Sequence, residues 1–378
     1  MRRSIGSMVL VAAVVACLFS LTMLATAQSD AVRAIYASAA NIPTKIPGIH
    51  TYATPAKNFS PLTATDEELA TYGFPPRPNQ QTDAAAYKLW ARAMAAAKNR
   101  STKELKALPY SSRELMSGKP LTTSTSASPS QWTSSNWSGV ANTNKNKSWS
   151  SKTSFDEVVS IFNVPVAQPP FGACGNGIDG PFYQVSWNGI DGFSNGDVLQ
   201  GGSLSAADCE GDTLYEAWVE WYPSYSIVPV FYVNPGDDIY VVTYDYSGGT
   251  NPGSVFVEDF TTLTYNTFSL SWLSGPGLVG NSAEYIVERP CCNGDGYPLA
   301  LANYIYNFWT DSFAYEGNGK LFYPGSTSTS TANITMYDDA FDQPISSVEG
   351  VGATGFEGRY SLWFSDDDCA YSGGCTSF

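Results

Sequence analysis

Apolar and aromatic residues concentrate in short runs along the chain from about residue 131 onward. Residues 238–244, 254–260 and 261–272 are rich in β-branched and aromatic side chains, and Gly, Pro and Asn separate the runs. Such runs favour strands over helices. We therefore expect residues 131–378 to form an all-β domain, a β-sandwich of jelly-roll or concanavalin-like type with two antiparallel sheets.

Helical patterning is confined to the region before the β-rich part. Thr65 and Glu68 form a capping box, and the helix that they begin should end at Gly73. Asp83 is expected to cap a second, Ala-rich helix over residues 84–98, whose apolar stripe contains Tyr87, Leu89, Trp90, Ala91 and Met94. This stripe is expected to pack on the β domain rather than to bind a cofactor.

The N-terminus has the features of a secretory signal peptide. Arg2 and Arg3 precede an apolar run over residues 8–24, and small residues at 25–27 suit a cleavage site. We expect residues 1–27 to be removed and the remaining protein to be secreted into the extracellular space. No membrane association is then expected.

Charge divides the rest of the chain into two parts. Residues 28–130 contain 12 basic and 7 acidic side chains, whereas residues 131–378 contain 6 basic and 28 acidic ones. The first part is predicted to be a basic, partly helical propeptide ending in a Ser/Thr-rich linker, and the second an acidic catalytic domain. The opposite charges suggest an electrostatic clasp between them. The overall charge of -15 argues against a nucleic-acid partner.

Histidine is nearly absent, which excludes several kinds of chemistry. The single histidine, His50, lies in the predicted propeptide. A working domain without imidazole excludes Ser-His-Asp and Cys-His catalysis and the common His-ligated zinc sites. Carboxylates, Tyr, Lys and amide groups remain for acid–base work.

Cysteine usage fits a secreted protein, since six cysteines remain once Cys17 leaves with the signal peptide. Cys369 and Cys375 are expected to pair. The neighbours Cys291 and Cys292 are poorly placed to bond each other, so Cys174 and Cys209 are their expected partners, in an order that the spacing leaves open.

Three segments carry candidate chemistry. In residues 215–223 alternation places Glu216 and Glu220 on the same face as aromatic residues, which suits the floor of a cleft. In residues 283–288 Glu288 ends a strand that has apolar neighbours, and desolvation there would suit a general acid–base catalyst. Gln200 lies beside two glycines, and its amide NH₂ could donate to an oxyanion. Each segment alone also fits an ordinary strand with a solvated face.

Five motifs in order make the pattern specific. Residues 136–139 (NWSG), 187–192 (WNGIDG), 198–200 (VLQ), 215–223 and 283–288 together resemble the glutamic peptidases, the eqolisin family of acid endopeptidases. The resemblance implies a β-sandwich with a substrate cleft on the concave sheet and a catalytic dyad of Gln200 and Glu288. It also implies that five residues line or support the cleft: Trp137, Trp187, Asp191, Glu216 and Glu220.

The implied mechanism requires no metal, no cofactor and no covalent intermediate. Glu288 would take a proton from the attacking water and later return it to the leaving nitrogen, while Gln200 would stabilise the oxyanion. The chain departs from the family at Glu216, where Asp is usual, at Arg289, and in an insertion over residues 169–183. Alternation places Arg289 on the opposite face from Glu288.

The resemblance suggests a role for the opposite charges of the two parts of the chain. The expected partners are protein or peptide substrates and the chain's own propeptide, acting as an intramolecular inhibitor of a monomeric enzyme. As pH falls below about 4, carboxylates become protonated and the clasp should weaken. The sequence therefore predicts an acid-activated zymogen.

Two other functions fit the same composition. Glu220 and Glu288 could catalyse glycoside hydrolysis in an aromatic-rich jelly roll, or the cleft could bind carbohydrate without catalysis. Gln200 distinguishes these alternatives, because a glycosidase has no need of it. Asp366, Asp367 and Asp368 could also bind calcium, although an acidic segment near a chain end is more often simply solvated.

Overall fold

A computed structural model of the protein describes residues 30–39, 41–111, 119–120, 130–170, 172–176, 179–291, 298–304, 306–324, 331–338, 343–348, 351–352 and 355–356. The predicted signal peptide, Cys292, Cys369, Cys375 and the acidic run from Asp366 to Asp368 lie outside the described residues. None of the described helices is long and apolar enough to cross a membrane.

Two large sheets form the protein, as the strand pattern predicts. The strands are β1 (Ile42–Pro43), β2 (Ile49–Thr51), β3 (Asn99–Arg100), β4 (Lys119–Pro120), β5 (Ser130–Ser134), β6 (Trp137–Thr143), β7 (Phe155–Asn163), β8 (Phe182–Ile190), β9 (Val198–Ala207), β10 (Thr213–Tyr222), β11 (Val228–Tyr232), β12 (Asp238–Tyr244), β13 (Gly253–Asp259), β14 (Thr264–Leu270), β15 (Ser282–Glu288), β16 (Trp309–Glu316), β17 (Leu321–Phe322), β18 (Thr331–Asp338), β19 (Gln343–Ser346), β20 (Val351–Gly352) and β21 (Gly355–Phe356). Sheet I has the order β1-β2-β14-β13-β12-β7-β16-β17, with β3 also paired to β14. Sheet II has the order β11-β10-β9-β8-β15-β6-β18-β5-β4, with β19 also paired to β18.

The main core lies between the two sheets. Alternate residues of β10 point inward, so Val219 and Trp221 pack with Val241, Val255 and Val257 of sheet I. Each of these side chains is almost fully buried, and burial of a large apolar side chain stabilises a fold by about 1.5–3 kcal/mol. The pairing is antiparallel except where β3 joins β14 and β5 joins β18 in parallel.

The helices lie before the sandwich in sequence and are α1 (30–37), α2 (Asp66–Tyr72) and α3 (Ala84–Ala96). The predicted capping box is confirmed: Thr65 Oγ1 accepts from the Glu68 N–H over 3.2 Å, and Glu68 Oε2 accepts from the Thr65 N–H over 2.9 Å. Gly73 ends α2 in the left-handed region, with φ 74°. Asp83 is the N-cap residue of α3 as predicted, but the expected capping contact is wrong, because its side chain makes no capping hydrogen bond.

The helical segment packs on the outer face of sheet I, the face turned away from sheet II. Leu89, Trp90 and Met94 of α3 are buried there against Tyr240 and Phe256, so the expectation for the apolar stripe is confirmed. Among the described residues, two ion pairs join the predicted propeptide to the sandwich: Arg33 with Asp156, and Lys103 with Glu216. The contact is therefore mainly apolar, and charge attraction acts at two points rather than over the whole surface.

The insertion over residues 169–183 is tied to the end of β9 by a disulfide. Cys174 and Cys209 bond each other, with Cα atoms 5.5 Å apart, so the expectation that they pair with Cys291 and Cys292 is wrong. The insertion folds back along β9: Phe182 packs on Ala207, and the Cys209 N–H donates to Asp179 O over 3.0 Å. This local contact brings the two cysteines together. Cys291 is also disulfide-bonded.

Candidate active site

Five adjacent strands of sheet II, in the order β10-β9-β8-β15-β6, carry most of the residues singled out by the sequence. Their inward side chains, such as Leu199 and Val219, belong to the core between the sheets. The opposite face carries a separate cluster that includes Trp137, Trp187 and Trp218; we call it the cleft face. Because side chains alternate along a strand, Gln200, Glu216, Glu220 and Glu288 also belong to this face.

Glu288 ends β15 and is fully buried. Its Oε1 accepts a hydrogen bond from Asn136 Nδ2 over 3.0 Å, and its Oε2 accepts one from Trp187 Nε1 over 2.9 Å. Two donors therefore hold the two oxygens of one buried carboxyl group. Hydrogen bonds from neutral donors to a carboxylate favour its ionised form, which is the form that a general base requires.

Gln200 lies directly opposite Glu220 in the pairing of β9 with β10. Its Nε2 donates to Glu220 Oε2 over 3.1 Å, and both side chains are fully buried. Since a carboxylate accepts only, this bond fixes which end of the Gln200 amide is the donor. Gly189 lies beside Gln200 on β8, where a Cβ would stand 3.1 Å from that of Gln200. A residue larger than glycine would therefore press on the amide side chain.

The two tryptophans of the cleft face contact each other. Trp137 and Trp187 pack edge to face, with ring centroids 4.9 Å apart and planes at 75°. This geometry is favourable for aromatic pairs, and it holds the Trp187 indole in the orientation that reaches Glu288. Trp137 thus supports the donor of Glu288 through packing.

Asp191 occupies a supporting position. It lies just beyond β8 with φ 66°, and its carboxylate accepts backbone hydrogen bonds from Val279, Gly280 and Asn281 over 2.5, 2.9 and 2.8 Å. These bonds hold the segment that leads into β15. Burial raises the pKa of Asp191 despite the backbone hydrogen bonds that oppose the shift.

Glu216 lies further along β10 and binds a lysine from the predicted propeptide. Lys103 Nζ contacts Glu216 Oε1 over 2.6 Å and lies 4.1 Å from the ring centroid of Tyr232. Burial lowers the pKa of Lys103, but the hydrogen bond and charge of Glu216 outweigh burial and raise it. The pair is therefore a charged contact at the edge of the cleft face.

The stretch around Lys103 follows the cleft face as an extended strap, residues 101–111. The Leu108 N–H donates to Ile227 O over 2.8 Å, and the Cys291 N–H donates to Ser111 O over 2.7 Å. Between these points Tyr110 packs on Tyr183, with ring centroids 4.9 Å apart, and belongs to the same cluster as Trp137 and Trp187. The strap thus runs from the edge strands β10 and β11 to the residues that follow Glu288.

Metal binding has no support in the described part of the chain, where no group of three His, Cys, Asp or Glu side chains could hold an ion. The described part of the cleft face holds the buried carboxyl group of Glu288 and the amide of Gln200, which Glu220 orients. Such a pair can activate water and stabilise an oxyanion.

The model of the Peptidase A4 family matches residues 135–354, more than half of the chain. The chain belongs to the Peptidase A4 family, the eqolisins. The family resemblance inferred from the five motifs is therefore confirmed.

Among individual relatives, scytalidopepsin B of Scytalidium lignicola is 34% identical over 148 residues, which are 38% of this chain and 50% of the relative. Aspergillopepsin-2 of Aspergillus niger is 33% identical over 104 residues, 27% of this chain and 36% of the relative. The chain thus matches half or less of the length of these curated relatives. A crystal structure of scytalido-glutamic peptidase with a peptide-based transition-state analogue covers 60% of this chain and 98% of its own, with 24% identity and a TM-score of 0.48.

Within this eqolisin, two contact residues were not assigned from the sequence. Asn136 stands inside a motif that carries the family resemblance, yet its bond to Glu288 depends on the pairing of β6 with β15. Lys103 is one of many basic residues in its segment, and nothing in the sequence indicates which of them meets Glu216.

Arg289 is fully buried, and its Nε donates to Ser135 O over 2.8 Å.

Proposed function

We propose that this eqolisin is a secreted acid endopeptidase that hydrolyses peptide bonds of proteins with Gln200 and Glu288, and that it is made as a zymogen. The observation that carries the proposal is the pair of hydrogen bonds from Asn136 and Trp187 to the buried carboxyl group of Glu288. Family membership supports the reaction class. The near absence of histidine in the sequence leaves carboxylate chemistry as the simplest route.

Glu288 acts first as the general base. Its ionised carboxylate takes a proton from water, and the resulting nucleophile attacks the carbonyl carbon of the scissile amide. The O–H bond of water breaks, a C–O bond forms, and the carbonyl electron pair moves to oxygen. Glu288, now protonated, then gives its proton to the leaving nitrogen as the C–N bond breaks.

Gln200 acts on the oxyanion of the tetrahedral intermediate. One N–H of its amide donates to Glu220, and an amide side chain carries a second N–H that can donate to a developing negative charge. Removal of a single oxyanion donor costs peptidases about 10²–10³ in kcat. Glu220 acts as a positioning residue, because it sets the orientation of the amide.

Inhibition of the zymogen is assigned to the strap. Residues 101–111 lie along the cleft face and meet the sandwich at Glu216, Ile227 and Cys291. An extended segment that pairs with the strands bordering a cleft occupies the space that a peptide substrate would need. As pH falls, the acidic sandwich loses negative charge and its attraction for Lys103 weakens, which releases the strap.

The test is cleavage of an unfolded protein at about pH 3.5, where carboxylates begin to titrate. Wild type and Gln200→Ala are compared in the presence of a chelator and an inhibitor of aspartic peptidases, and Gln131→Ala, on the partly exposed strand β5, is the matched control. We expect cleavage by wild type and by the control, and strong loss in Gln200→Ala. Absence of cleavage by correctly processed wild type would contradict the proposal.

A further inference from the structure

The outer face of sheet I is covered by residues 41–97 through a core of its own. Phe74, Leu89, Trp90 and Met94 are buried against sheet I, where they meet a group of aromatic and aliphatic residues: Val159, Ile161, Tyr240, Val242, Tyr244, Phe256, Tyr265, Phe313 and Tyr315. Removing residues 41–97 would expose this whole aromatic face to water. Apolar faces of that kind are unusual on monomeric soluble proteins.

Hydrogen bonds join the same segment to sheet I. Strand β2 pairs antiparallel with β14, opposite residues 268–270. The hydroxyl of Thr267 donates to Gly73 O over 2.6 Å, and the Tyr52 and Ser254 hydroxyls are 2.8 Å apart. Residues 41–97 are thus part of the sheet as well as of its cover, and none of these contacts depends on charge.

A buried carboxyl group lies under this cover. Glu258 of β13 is fully buried, and neither of its oxygens has a hydrogen-bond partner among the described residues. Tyr240 of β12 and Tyr265 of β14 stand opposite it in the sheet. The charged groups near it are Arg92 of α3, Lys98 that follows α3, and Asp259 of its own strand.

Burial raises the pKa of Glu258 well above its ordinary value, and Arg92 and Lys98 only partly offset the shift. A carboxyl group that docking buries binds its proton more tightly, so docking is coupled to proton uptake and is favoured as pH falls. The strap responds in the opposite direction, because the attraction that holds Lys103 weakens as the acidic sandwich loses negative charge in acid.

We propose that residues 41–97 remain bound to sheet I after the chain is cut within residues 112–129, as a second chain of the acid form, while only the strap leaves the cleft face. The contacts with sheet I are by themselves the support for retention of residues 41–97. The link between retention and activation rests on the proposed function, in which the strap is the inhibitor.

The experiment uses the full chain with Glu288→Gln, which prevents self-digestion, and a site for a specific peptidase within residues 121–129. The chain is cut at neutral pH and examined by size-exclusion chromatography at about pH 7 and about pH 3.5. We expect the two fragments to elute together at both values at micromolar concentration. Separate elution of the N-terminal fragment at the lower pH would overturn the proposal.

A second measurement tests the role of Glu258. The dissociation constant of the cut fragments is measured over a series of pH values, since one proton taken up on docking changes it by up to about ten-fold per pH unit. Glu258→Gln should keep the fragments together and reduce the slope of log Kd against pH by about one. Glu210→Gln, at an exposed site, should keep the wild-type slope. An unchanged slope in Glu258→Gln would refute the tightening in acid.

Both measurements remain valid if the protein proves not to be a peptidase, because they do not use its activity. Active wild type with a fragment that dissociates in acid would refute retention and leave the proposed function intact. Inactive wild type with a fragment that stays bound would refute the proposed function and leave retention intact.

Discussion

Gln200 and Glu220 are paired directly across β9 and β10, and the Gln200 amide donates to the Glu220 carboxylate over 3.1 Å. The bond joins the amide of the proposed dyad to an acid that would otherwise count as an ordinary charge on a strand. Because both side chains are buried, water cannot replace the partner of either one without rearrangement. The orientation of the amide therefore depends on Glu220.

Glu220→Ala should lower kcat while KM changes little, because Gln200 loses the acceptor that fixes its donor end. A hydrogen bond to a charged group contributes about 1.5–3 kcal/mol, which corresponds to roughly 10–100-fold in rate. Glu220→Gln, which keeps an acceptor oxygen, should recover part of the loss. Steady-state kinetics on a peptide substrate measure both, with Glu210→Ala at an exposed site as the control. Unchanged kcat in Glu220→Ala would contradict the positioning role.

Trp187→Phe should move the acidic limb of the kcat/KM profile to higher pH. The variant keeps an aromatic ring but loses the indole N–H that donates to Glu288 Oε2. Without that donor the ionised carboxylate is less stable, so more alkaline conditions are needed to form the base, by about one pH unit. The matched control is Trp218→Phe on the same face, since the indole N–H of Trp218 has no hydrogen-bond partner in the described part of the chain. Equal profiles for the two variants would refute the assignment.

Lys103→Met should allow the full-length chain to process itself at higher pH than wild type. The substitution removes the contact with Glu216 but keeps an apolar stem over Tyr232. Lys106→Met is the control, because Lys106 is an exposed residue of the same strap for which the described residues provide no ion pair. Processing is followed on gels over a pH series. If both variants process as wild type does, Lys103 does not hold the strap.

Stability should rise as pH falls, because buried carboxyl groups of sheet I hold protons in the folded state. Burial raises the pKa of Asp245 to about 7, although backbone hydrogen bonds from Gly248 and Ser247 oppose the shift. The stability from this raised pKa is fully present below the unfolded value of about 3.9 and is lost as pH rises through about 7. In the Glu288→Gln background, the melting temperature should therefore be higher at pH 4 than at pH 8.

Asp245→Asn tests this assignment, since an amide imitates the neutral carboxyl group. The variant should match the parent at pH 4 and exceed its free energy of unfolding at pH 8 by about 2–4 kcal/mol. Asp212→Asn, at an exposed site, should follow the parent at both values. A variant that is less stable than the parent at pH 8 would show that the ionised Asp245 side chain stabilises the fold, which would contradict a raised pKa.

Runs of β-branched and aromatic residues predicted much of the sandwich. β12 and β13 lie within a residue of the expected bounds, because their β-branched and aromatic runs fit a sheet that is buried on both faces. The capping box before α2 is local and was equally predictable. By contrast, the pairing of Cys174 with Cys209 depends on how the insertion folds back on β9. No spacing rule contains that information.

The site was predictable in its residue types more than in its contacts. The alternation of Glu216 and Glu220 placed both on one face, and that face is confirmed. Their different partners, Lys103 for one and Gln200 for the other, depend on strand order and on the path of the strap. Both are tertiary features that a single sequence does not show.

The most direct test of the catalytic claim compares Glu288→Gln with Glu284→Gln. Both glutamates are fully buried and lie on the same face of β15, and Glu284 Oε1 accepts from the Phe193 N–H, a bond that Gln can keep. Both variants are cut at a specific site within residues 121–129, so that processing does not depend on their own activity. We predict that Glu288→Gln lowers kcat on an unfolded protein at acidic pH by about 10³-fold, while Glu284→Gln stays close to wild type. Wild-type kcat in Glu288→Gln would contradict the mechanism.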